Sequence, residues 1–218
     1  MNELNGTIIC GDTHARWGLL NQLINKKRPE RVIVCGDFGF WPGEAKYELS
    51  DLKNKDTKVY WCDGNHENHV ALAKRTSDEV APNVFYMPRG STMKLPDGRT
   101  IMFFGGADSY DKDSRTLNVD WFKEELPTQE QLDRAMAYDG PVSMVVSHTA
   151  PEEFDVKVRN SFRDPTRFVL SRILEKFRPQ FWYFGHWHWP LTGFHDGTRW
   201  TGLHYADMGN SRWWVYLR

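Results

Sequence analysis

The chain has 218 residues and a formal net charge of −1, since 28 Lys and Arg side chains are balanced by 29 Asp and Glu. This length favours one domain over residues 1–218, and an apolar share of 40% is ordinary for a protein that buries its own core. The charge balance excludes a broad basic face for non-specific DNA binding, although it leaves room for a local basic cleft.

Cysteine usage and the lack of long apolar segments predict the compartment. Cys10, Cys35 and Cys62 each end a short apolar run and no C-x-x-C pair occurs, so we expect buried strand residues rather than disulfides or a thiolate zinc site. Unpaired cysteines fit a reducing compartment. The sequence shows no signal-peptide pattern and no apolar stretch of about 18 residues. We therefore expect a cytoplasmic protein without a membrane span.

Short apolar runs and amphipathic stretches alternate along the first third of the chain. Residues 7–10, 31–35 and 58–62 are rich in β-branched and aromatic residues, and each run leads into a turn that contains glycine. Residues 17–26 carry a leucine stripe at helical spacing, and residues 67–75 predict a second helix. This alternation of strands and helices predicts a parallel sheet with right-handed crossovers.

The rest of the chain begins with a portion that predicts antiparallel or mixed pairing. Residues 84–87, 92–95 and 100–104 are short strands, and Pro96-Asp97-Gly98 is a hairpin signal. The later elements are helices over residues 129–138 and 165–177, and strands over residues 142–147, 181–184, 200–205 and 213–217. Two packed sheets in one α/β domain are the simplest arrangement of these elements.

Five polar clusters stand directly after predicted strands. In an open α/β sheet, ligands bind beyond the carboxyl ends of the strands, so five such loops would converge in space. Glycine precedes the key residue in four of the five, where the chain must turn sharply off the strand. The clusters are Gly11-Asp12-Thr13-His14, Gly36-Asp37-Phe38-Gly39, Gly64-Asn65-His66-Glu67, Ser147-His148-Thr149-Ala150-Pro151 and Gly185-His186-Trp187-His188.

The donor chemistry of these clusters predicts a metal site. They offer carboxylate, amide and imidazole groups without sulfur, a set that suits Mn²⁺, Fe, Zn²⁺ or Ni²⁺ better than Ca²⁺ or Mg²⁺ alone. Seven donors are too many for one tetrahedral ion, but they match two ions about 3.5–4 Å apart that share a bridging carboxylate. Two such ions lower the pKa of a bridging water to about 7 and clamp an in-line displacement at phosphorus.

The ordered motifs D-x-H, G-D, G-N-H-E, H and G-H-x-H resemble those of the calcineurin-like metallophosphoesterases, in particular small single-domain bacterial and phage members. The resemblance implies an α/β/β/α sandwich of two mixed sheets flanked by helices. It also implies that His66 binds no metal, contacts the phosphate and protonates the leaving oxygen or stabilises charge there. The ligand sets that it implies are Asp12, His14, Asp37 and His188 for one ion, and Asp37, Asn65, His148 and His186 for the other.

One motif departs from the protein Ser/Thr phosphatases of this superfamily. Those carry G-D-x-V-D-R-G, in which the second Asp orients the catalytic His and the Arg binds phosphate. Here Phe40 and Trp41 take the places of that Asp and Arg. The difference argues against a protein phosphatase and leaves open which residue orients His66. Asp63 and Glu67 are candidates, although both also suit ordinary turn or helix-start positions.

Three groups of residues have open roles at the rim of the site. Residues 105–111 resemble a loop of some small bacterial and phage family members, and Arg115 follows shortly after. Either this loop reaches over the metals, with Arg115 neutralising phosphate oxygens, or it is a solvated surface loop. Trp187 and the aromatics after Asp37 either stack a nucleobase or pack to hold the ligand loops. Arginines at helical spacing form either a basic rim or a solvated face: Arg159, Arg163 and Arg167.

These features together predict a phosphoesterase that uses two divalent ions, Mn²⁺ first, with Fe, Zn²⁺ or Ni²⁺ as alternatives. A metal-bridging hydroxide would attack a small phosphate ester, with a phosphodiester or nucleotide as the leading substrate and a nucleic acid as another. The alternatives are a phosphomonoesterase, including a phosphoprotein phosphatase, and a non-catalytic metal-binding interaction module on the same fold. Neither a membrane nor a protein partner is predicted.

Overall fold

The computed structural model describes residues 6–54, 56–156, 163–209 and 211–217. Within these ranges the chain forms four helices, twelve strands and several short 3₁₀ turns. The helices are α1 (Trp17–Lys27), α2 (His69–Ala73), α3 (Gln129–Ala137) and α4 (Pro165–Phe177). The strands are β1 (Thr7–Cys10), β2 (Arg31–Val34), β3 (Lys58–Trp61), β4 (Glu79–Ala81), β5 (Val84–Tyr86), β6 (Thr92–Lys94), β7 (Thr100–Phe104), β8 (Met144–Ser147), β9 (Phe181–Phe184), β10 (Leu191–His195), β11 (Thr198–Gly202) and β12 (Trp214–Tyr216).

The strands form two six-stranded sheets, each with four parallel strands inside and an antiparallel strand at either edge. The first sheet has the order β12-β1-β2-β3-β5-β4, and β12 and β4 are antiparallel to their neighbours. The second has the order β10-β11-β9-β8-β7-β6, and β10 and β6 are antiparallel. Parallel pairing brings the carboxyl ends of β1, β2 and β3 to one edge of the first sheet, and those of β8 and β9 to one edge of the second.

Both faces of each sheet are covered, because successive side chains on a strand point to opposite sides. Ile8 packs with Leu20 of α1 in an outer core, whereas its neighbour Ile9 lies in the core between the sheets with Phe103 of β7. A third core joins the outer face of the second sheet to α3 and α4. The layers are helices, sheet, sheet and helices, so the expected α/β/β/α sandwich is confirmed. Three cysteines are buried and free, as predicted: Cys10, Cys35 and Cys62.

Local signals start the two helices that cover the second sheet. The Asp164 side chain accepts the N–H of Thr166 at 2.9 Å, and Pro165 occupies the first helical position of α4, as predicted. Thr128 caps α3 in a reciprocal arrangement with Gln131. Among the helices of the described ranges, none is long and apolar enough to cross a membrane.

Several elements differ from the sequence prediction. The helix expected over residues 67–75 is only α2, which begins after its N-cap Asn68. Glu67 lies before it, and its carboxylate accepts the backbone N–H groups of Gly39 and Gly64. Strands β4 and β10 were not predicted, and both are edge strands with partly exposed, mixed sequences. Arg163 precedes α4 rather than lying on it, so the predicted helical face of arginines is wrong for Arg163. Arg159 lies outside the described residues.

Candidate metal centre

The seven predicted ligands lie in loops at the carboxyl ends of five parallel strands. The loops after β1, β2 and β3 come from the first sheet, and those after β8 and β9 come from the second. Contacts between residues as far as 176 positions apart show that these loops converge, as the sequence predicted. The loops carry Asp12, His14, Asp37, Asn65, His148, His186 and His188.

One group of donors joins the loops after β1 and β9. Nε2 of His188 lies 2.9 Å from Oδ2 of Asp12, and Nε2 of His14 lies 3.5 Å from Nε2 of His188. Nε2 of His14 also lies 4.0 Å from Oδ2 of Asp12. Burial opposes ionisation of Asp12, but the hydrogen bond from His188 and the nearby His148 outweigh it and lower the pKa of Asp12. The group offers one carboxylate and two imidazoles to a single point.

A second group joins the loops after β2, β3 and β8. Nε2 of His148 lies 3.0 Å from Oδ1 of Asn65 and 3.4 Å from Oδ1 of Asp37. Nδ1 of His148 lies 2.8 Å from the carbonyl oxygen of Cys35, which can only accept, so Nδ1 carries the proton. Nε2 therefore faces two oxygens, an arrangement that needs a proton or a cation between them. In the metal-free protein, Asp37 and Asp12 outweigh burial and raise the pKa of His148 to about 9.

Asp37 lies between the two groups. Its Oδ2 is 3.8 Å from Nε2 of His14, while its Oδ1 faces His148. Asp37 is buried, which opposes its ionisation, yet the surrounding imidazoles of His148, His66 and His14 hold its pKa far below the ordinary value. Asp12 also reaches the second group, since its Oδ1 is 3.9 Å from Nδ1 of His148. Asp37 therefore faces His14 of the first group and His148 of the second, while Asp12 belongs to both clusters that could hold an ion.

His186 contributes to the site through both its backbone and its ring. Its N–H donates to the two carboxylate oxygens of Asp12 at 3.0 and 3.1 Å. Its ring packs edge to face on His148, with 4.9 Å between ring centroids. Burial, together with the neighbouring charge of His148, lowers the pKa of His186 to about 3. A neutral imidazole of this kind retains the lone pair that a metal ligand needs.

Four of the seven predicted ligand residues have a backbone conformation that is unfavourable for a residue other than glycine. His14, Asp37, His186 and His188 have φ values of 45°, 44°, 64° and 54°, in the left-handed region that costs a non-glycine residue about 1–3 kcal/mol. Gly185 stands directly before His186 and begins the loop that also carries His188. A Cβ at Gly185 would collide with Oδ1 of Asp12. Strain of this kind persists only where the surrounding structure holds it in place, and it concentrates at functional sites.

His66 lies beside the donor groups and is oriented by an arginine. Its ring centroid is 5.5 Å from that of His14, and its backbone N–H donates to Oδ1 of Asp37 at 2.8 Å. The two terminal nitrogens of Arg115 lie 3.2 and 3.3 Å from Nδ1 and Nε2 of His66. Arg115 is held in turn by Asp111 at 2.9 Å. Burial first, and then the charges of Arg115 and His14, lower the pKa of His66 against the opposing effect of Asp37.

The two carboxylates considered from sequence as partners of His66 are bonded elsewhere. Asp63 forms a buried ion pair with Arg89 and accepts the hydroxyl of Tyr86 at 2.8 Å. Glu67 accepts the N–H groups of Gly39 and Gly64 at 3.1 and 2.6 Å. Their roles are therefore in holding the turn, and the residue in contact with the His66 ring is Arg115. Arg115 was expected near the phosphate position, but its contact with His66 was not predicted.

The aromatic residues near the site mostly pack. Phe38 is fully buried in the outer core of the first sheet, and Nε1 of Trp41 donates to the carbonyl of His66 at 2.8 Å. Trp187 is half-buried, meets His186 edge to face at 5.0 Å and lies 5.7 Å from the guanidinium of Arg167. Arg167 donates to backbone carbonyls of the loop after His148. These contacts favour the packing role over base stacking for this set.

One family model matches most of the sequence. Residues 7–190 match the model described as calcineurin-like phosphoesterase. The chain belongs to this family. Members of the calcineurin-like phosphoesterase family are typically dependent on divalent metals, and the two converging donor groups of this chain have the oxygen and imidazole chemistry that such ions require. The family assignment indicates a phosphoester hydrolase.

Solved structures share this fold at low identity. TT1561 of Thermus thermophilus superposes with a TM-score of 0.65 at 10% identity, covering 91% of this chain and 88% of that one. GAP50 of Plasmodium, titled the anchor in the inner membrane complex, has a TM-score of 0.54 at 14% identity, covering 94% and 75%. Phosphopantetheinyl hydrolase of Mycobacterium tuberculosis has a TM-score of 0.52 at 15% identity, covering 98% and 96%. No curated protein sequence matches this calcineurin-like phosphoesterase significantly.

Proposed function

We propose that the protein hydrolyses phosphate esters with two divalent ions. The observation that carries this proposal is the position of Asp37, whose oxygens face His14 on one side and His148 on the other. Mn²⁺ is the ion that we propose first, and Fe, Zn²⁺ or Ni²⁺ suit the same donors. The proposed ligands are Asp12, His14, Asp37 and His188 for one ion, and Asp37, Asn65, His148 and His186 for the other.

Two bound ions would supply a water of lowered pKa and neutralise the charge of the phosphate. The chain's own residues bind the ester and move a proton. His66 stands beside His14 of the donor groups. Since the guanidinium of Arg115 only donates, one ring nitrogen of His66 accepts from it, and the other would carry the N–H that is donated to a phosphate oxygen or to the leaving oxygen. Arg115 places a permanent positive charge about one hydrogen-bond length from that ring, within reach of the non-bridging oxygens. The pair is therefore suited to hold the phosphate while the leaving group departs.

A phosphodiester or a nucleotide is the substrate class that we propose. The Asp and Arg of protein Ser/Thr phosphatases are replaced by Phe40 and Trp41, which argues against a phosphoprotein. On the other side of the site, the ring of Tyr205 lies 4.8 Å from that of His188, and the guanidinium of Arg16 lies 4.8 Å from the Tyr205 centroid. This partly exposed aromatic and cationic wall supports a substrate with a second group attached to the phosphate.

Paired initial rates on bis(p-nitrophenyl) phosphate and p-nitrophenyl phosphate test this proposal. The protein is stripped with EDTA and reloaded with Mn²⁺, and the stripped sample is the control. We expect both rates to rise on reloading and the diester rate to be the higher one. A higher monoester rate would favour a phosphomonoesterase acting on nucleoside monophosphates or phosphoproteins. Equal rates before and after reloading would contradict the metal-dependent hydrolase.

A non-catalytic binding module is the alternative, and one relative supports keeping it. GAP50 of Plasmodium has this fold and is described as an anchor, and a fold does not by itself determine an activity. In this chain, however, each proposed ligand and His66 is retained and converges on one site. Stoichiometric metal binding without turnover of either p-nitrophenyl ester would favour the binding module.

We also propose that residues 1–218 form one domain and that the protein works in the cytoplasm. The family model ends at residue 190, yet β12 beyond it pairs with β1 in the first sheet, which supports a single folding unit. Three free, buried cysteines fit a reducing compartment.

A further inference from the structure

A chain of buried hydrogen bonds leads away from Asn65 into a segment that the proposed mechanism does not use. Nδ2 of Asn65 donates to Oγ of Ser109 at 3.0 Å, and Oγ of Ser109 donates to Oε2 of Glu125 at 2.6 Å. Oε1 of Glu125 accepts the N–H of Phe122 at 3.3 Å. Asn65, Ser109 and Glu125 are 4%, 1% and 0% exposed, so water does not replace these partners.

With Glu125 ionised, the chemistry of this chain allows one direction for its hydrogen bonds. The carboxylate then only accepts, so the single hydroxyl proton of Ser109 goes to Glu125. Burial raises the pKa of Glu125 to about 7, so this direction holds above that pH, where the metal-binding tests are made. The Ser109 oxygen is then left as an acceptor, and the Asn65 group that faces it must be the donating NH₂. The Asn65 oxygen is thereby turned to the opposite side, where it lies 3.0 Å from Nε2 of His148.

The acceptor end of the chain is itself held in place by Arg89, which is buried. Its guanidinium donates to the carbonyl oxygens of Glu124 and Glu125 at 2.8 and 3.0 Å and pairs with Asp63. Asp63 directly precedes the turn that carries Asn65. Both ends of the Asn65–Ser109–Glu125 chain are therefore tied to the end of β3, which keeps the geometry of the amide rigid.

We propose that Ser109 and Glu125 are positioning residues that fix the side-chain amide of Asn65 with its oxygen towards His148 and Asp37. Asn65 is a metal ligand only under the proposed function, so this inference rests on it. An amide has one ligating oxygen and one NH₂ group of nearly the same shape, and the wrong orientation would place a donor where the second ion binds. The Ser109–Glu125 pair excludes that orientation at the cost of two buried polar groups.

Equilibrium dialysis against Mn²⁺ alone, with total metal measured in the protein compartment, tests this role without reference to activity. We expect two ions per wild-type chain. Ser109→Ala should weaken binding of the ion at the Asn65 group by about 10–100-fold, the range typical when the hydrogen-bond partner of a metal ligand is removed. The affinity for the other ion should not change. Ser114→Ala is the matched control, because Ser114 lies on the same segment, is exposed and bonds only to its own turn through Asp111. It should bind both ions as the wild type does.

Glu125→Gln tests the direction of the hydrogen bonds while it preserves the shape of the core. The Gln NH₂ must face either the Phe122 N–H, which is also a donor, or Ser109, which would then release its constraint on Asn65. We expect weaker binding of the same ion. A cooperative thermal unfolding transition of the metal-free variant would show that it is folded. This variant also decides the matter if Ser109→Ala does not fold.

A double-mutant comparison separates orientation from general support. In an Asn65→Asp background both side-chain oxygens are equivalent, so Ser109→Ala should change the affinity of the second ion by less than about threefold. The positioning role would be overturned if Ser109→Ala and Glu125→Gln weakened the binding of both ions equally, or if neither variant weakened the binding of any ion. Either result would leave the two-ion site in place. A wild-type chain that binds no Mn²⁺ would instead overturn the proposed function, and this role of Asn65 with it.

Discussion

The backbone N–H of His66 donates a 2.8 Å hydrogen bond to Oδ1 of Asp37. The same oxygen lies 3.4 Å from Nε2 of His148, so one carboxylate aligns the turn that carries His66 with the proposed ligands around it. The turn approaches closely because Gly64 has no side chain; a Cβ there would collide with that oxygen. Asp37 therefore links the proposed metal site to the residue proposed to act on the ester, and changes at the two residues should have separable effects.

Asp37→Asn should abolish metal retention and hydrolysis together. The substitution removes the charge that both donor groups share, and it replaces one ligating oxygen with an NH₂ group. Metal content per chain and the rate on bis(p-nitrophenyl) phosphate are measured on the same sample. Asp97→Asn, in the exposed turn between β6 and β7, should leave both unchanged. Full metal content in Asp37→Asn would contradict the bridging role.

His66→Ala should keep both ions and lose about 10²–10⁴-fold in turnover, the usual contribution of a positioned proton donor. His66 reaches Asp37 through its backbone N–H, which alanine retains, so the metal site should survive. Metal content and steady-state rates distinguish this outcome from that of Asp37→Asn. His195→Ala, at the end of β10, is the control. Full activity in His66→Ala would show that the ring has no part in the reaction.

Arg115→Ala should lower kcat/KM by about 10–100-fold, since a charge-assisted hydrogen bond contributes about 1.5–3 kcal/mol. Arg115 touches His66 and Asp111 but none of the proposed ligands, so metal content should not change. Arg134→Ala, in an exposed pair on α3, serves as the surface control. If Arg115→Ala and Arg134→Ala gave equal kinetics, the arginine beside His66 would have no role in binding the phosphate.

The fold was predictable where apolar runs are continuous. Strands of the parallel core, such as β2 and β9, are buried along most of their length, and their sequences are almost entirely apolar or aromatic. The missed strands, β4 and β10, lie at sheet edges, where one side faces solvent and the residues are mixed. The four-layer arrangement came from the family resemblance rather than from periodicity, and the alternation of Ile8 and Ile9 between two cores shows its physical basis.

The proposed ligands could be named from sequence because each stands in a short motif after a strand, whereas the residues that contact them from other segments could not. Ser109 lies 44 positions from Asn65 and 16 from Glu125, and no local pattern relates the three. Arg89 pairs with Asp63 across 26 positions. Nearby carboxylates were therefore considered as partners of His66, although Arg115, 49 positions away, makes that contact. Contacts that form only when distant segments fold together leave no signature in spacing.

Arg89→Met should destabilise the fold by about 3–5 kcal/mol, because it leaves the buried Asp63 carboxylate without its partner. Burial opposes ionisation of Asp63, but the charge and hydrogen bonds of Arg89 outweigh it and lower the pKa of Asp63, so the pair stabilises the protein above the ordinary Asp pKa and loses that contribution in acid. Urea unfolding at neutral pH measures the loss. Arg75→Met breaks an exposed pair with Asp78 and should cost no more than about 1 kcal/mol. Similar costs for the two variants would contradict the importance assigned to the buried pair.

His69 should make the protein less stable in mild acid. Its Nε2 lies 3.1 Å from the carbonyl oxygen of Gly64, and burial, opposed by Asp63, lowers its pKa from 6.5 to about 4. Between these values the unfolded chain binds more protons than the native one, so the free energy of unfolding falls as pH falls through this window. The expected loss is about 2–3 kcal/mol between about pH 8 and about pH 4.5.

His69→Gln isolates this contribution, because glutamine can donate to the Gly64 carbonyl but does not titrate. Urea unfolding of the metal-free proteins at several pH values gives the two curves. The difference between wild type and variant should be constant above about pH 7 and should shift in favour of the variant as the pH falls towards about 4.5. Carboxylates that do not interact with His69 titrate in both proteins and cancel in the difference; Asp63, which does interact with it, belongs to the effect that is measured. Parallel curves over the whole range would show that His69 takes up its proton at the same pH in the native and unfolded states, and would contradict the lowered pKa.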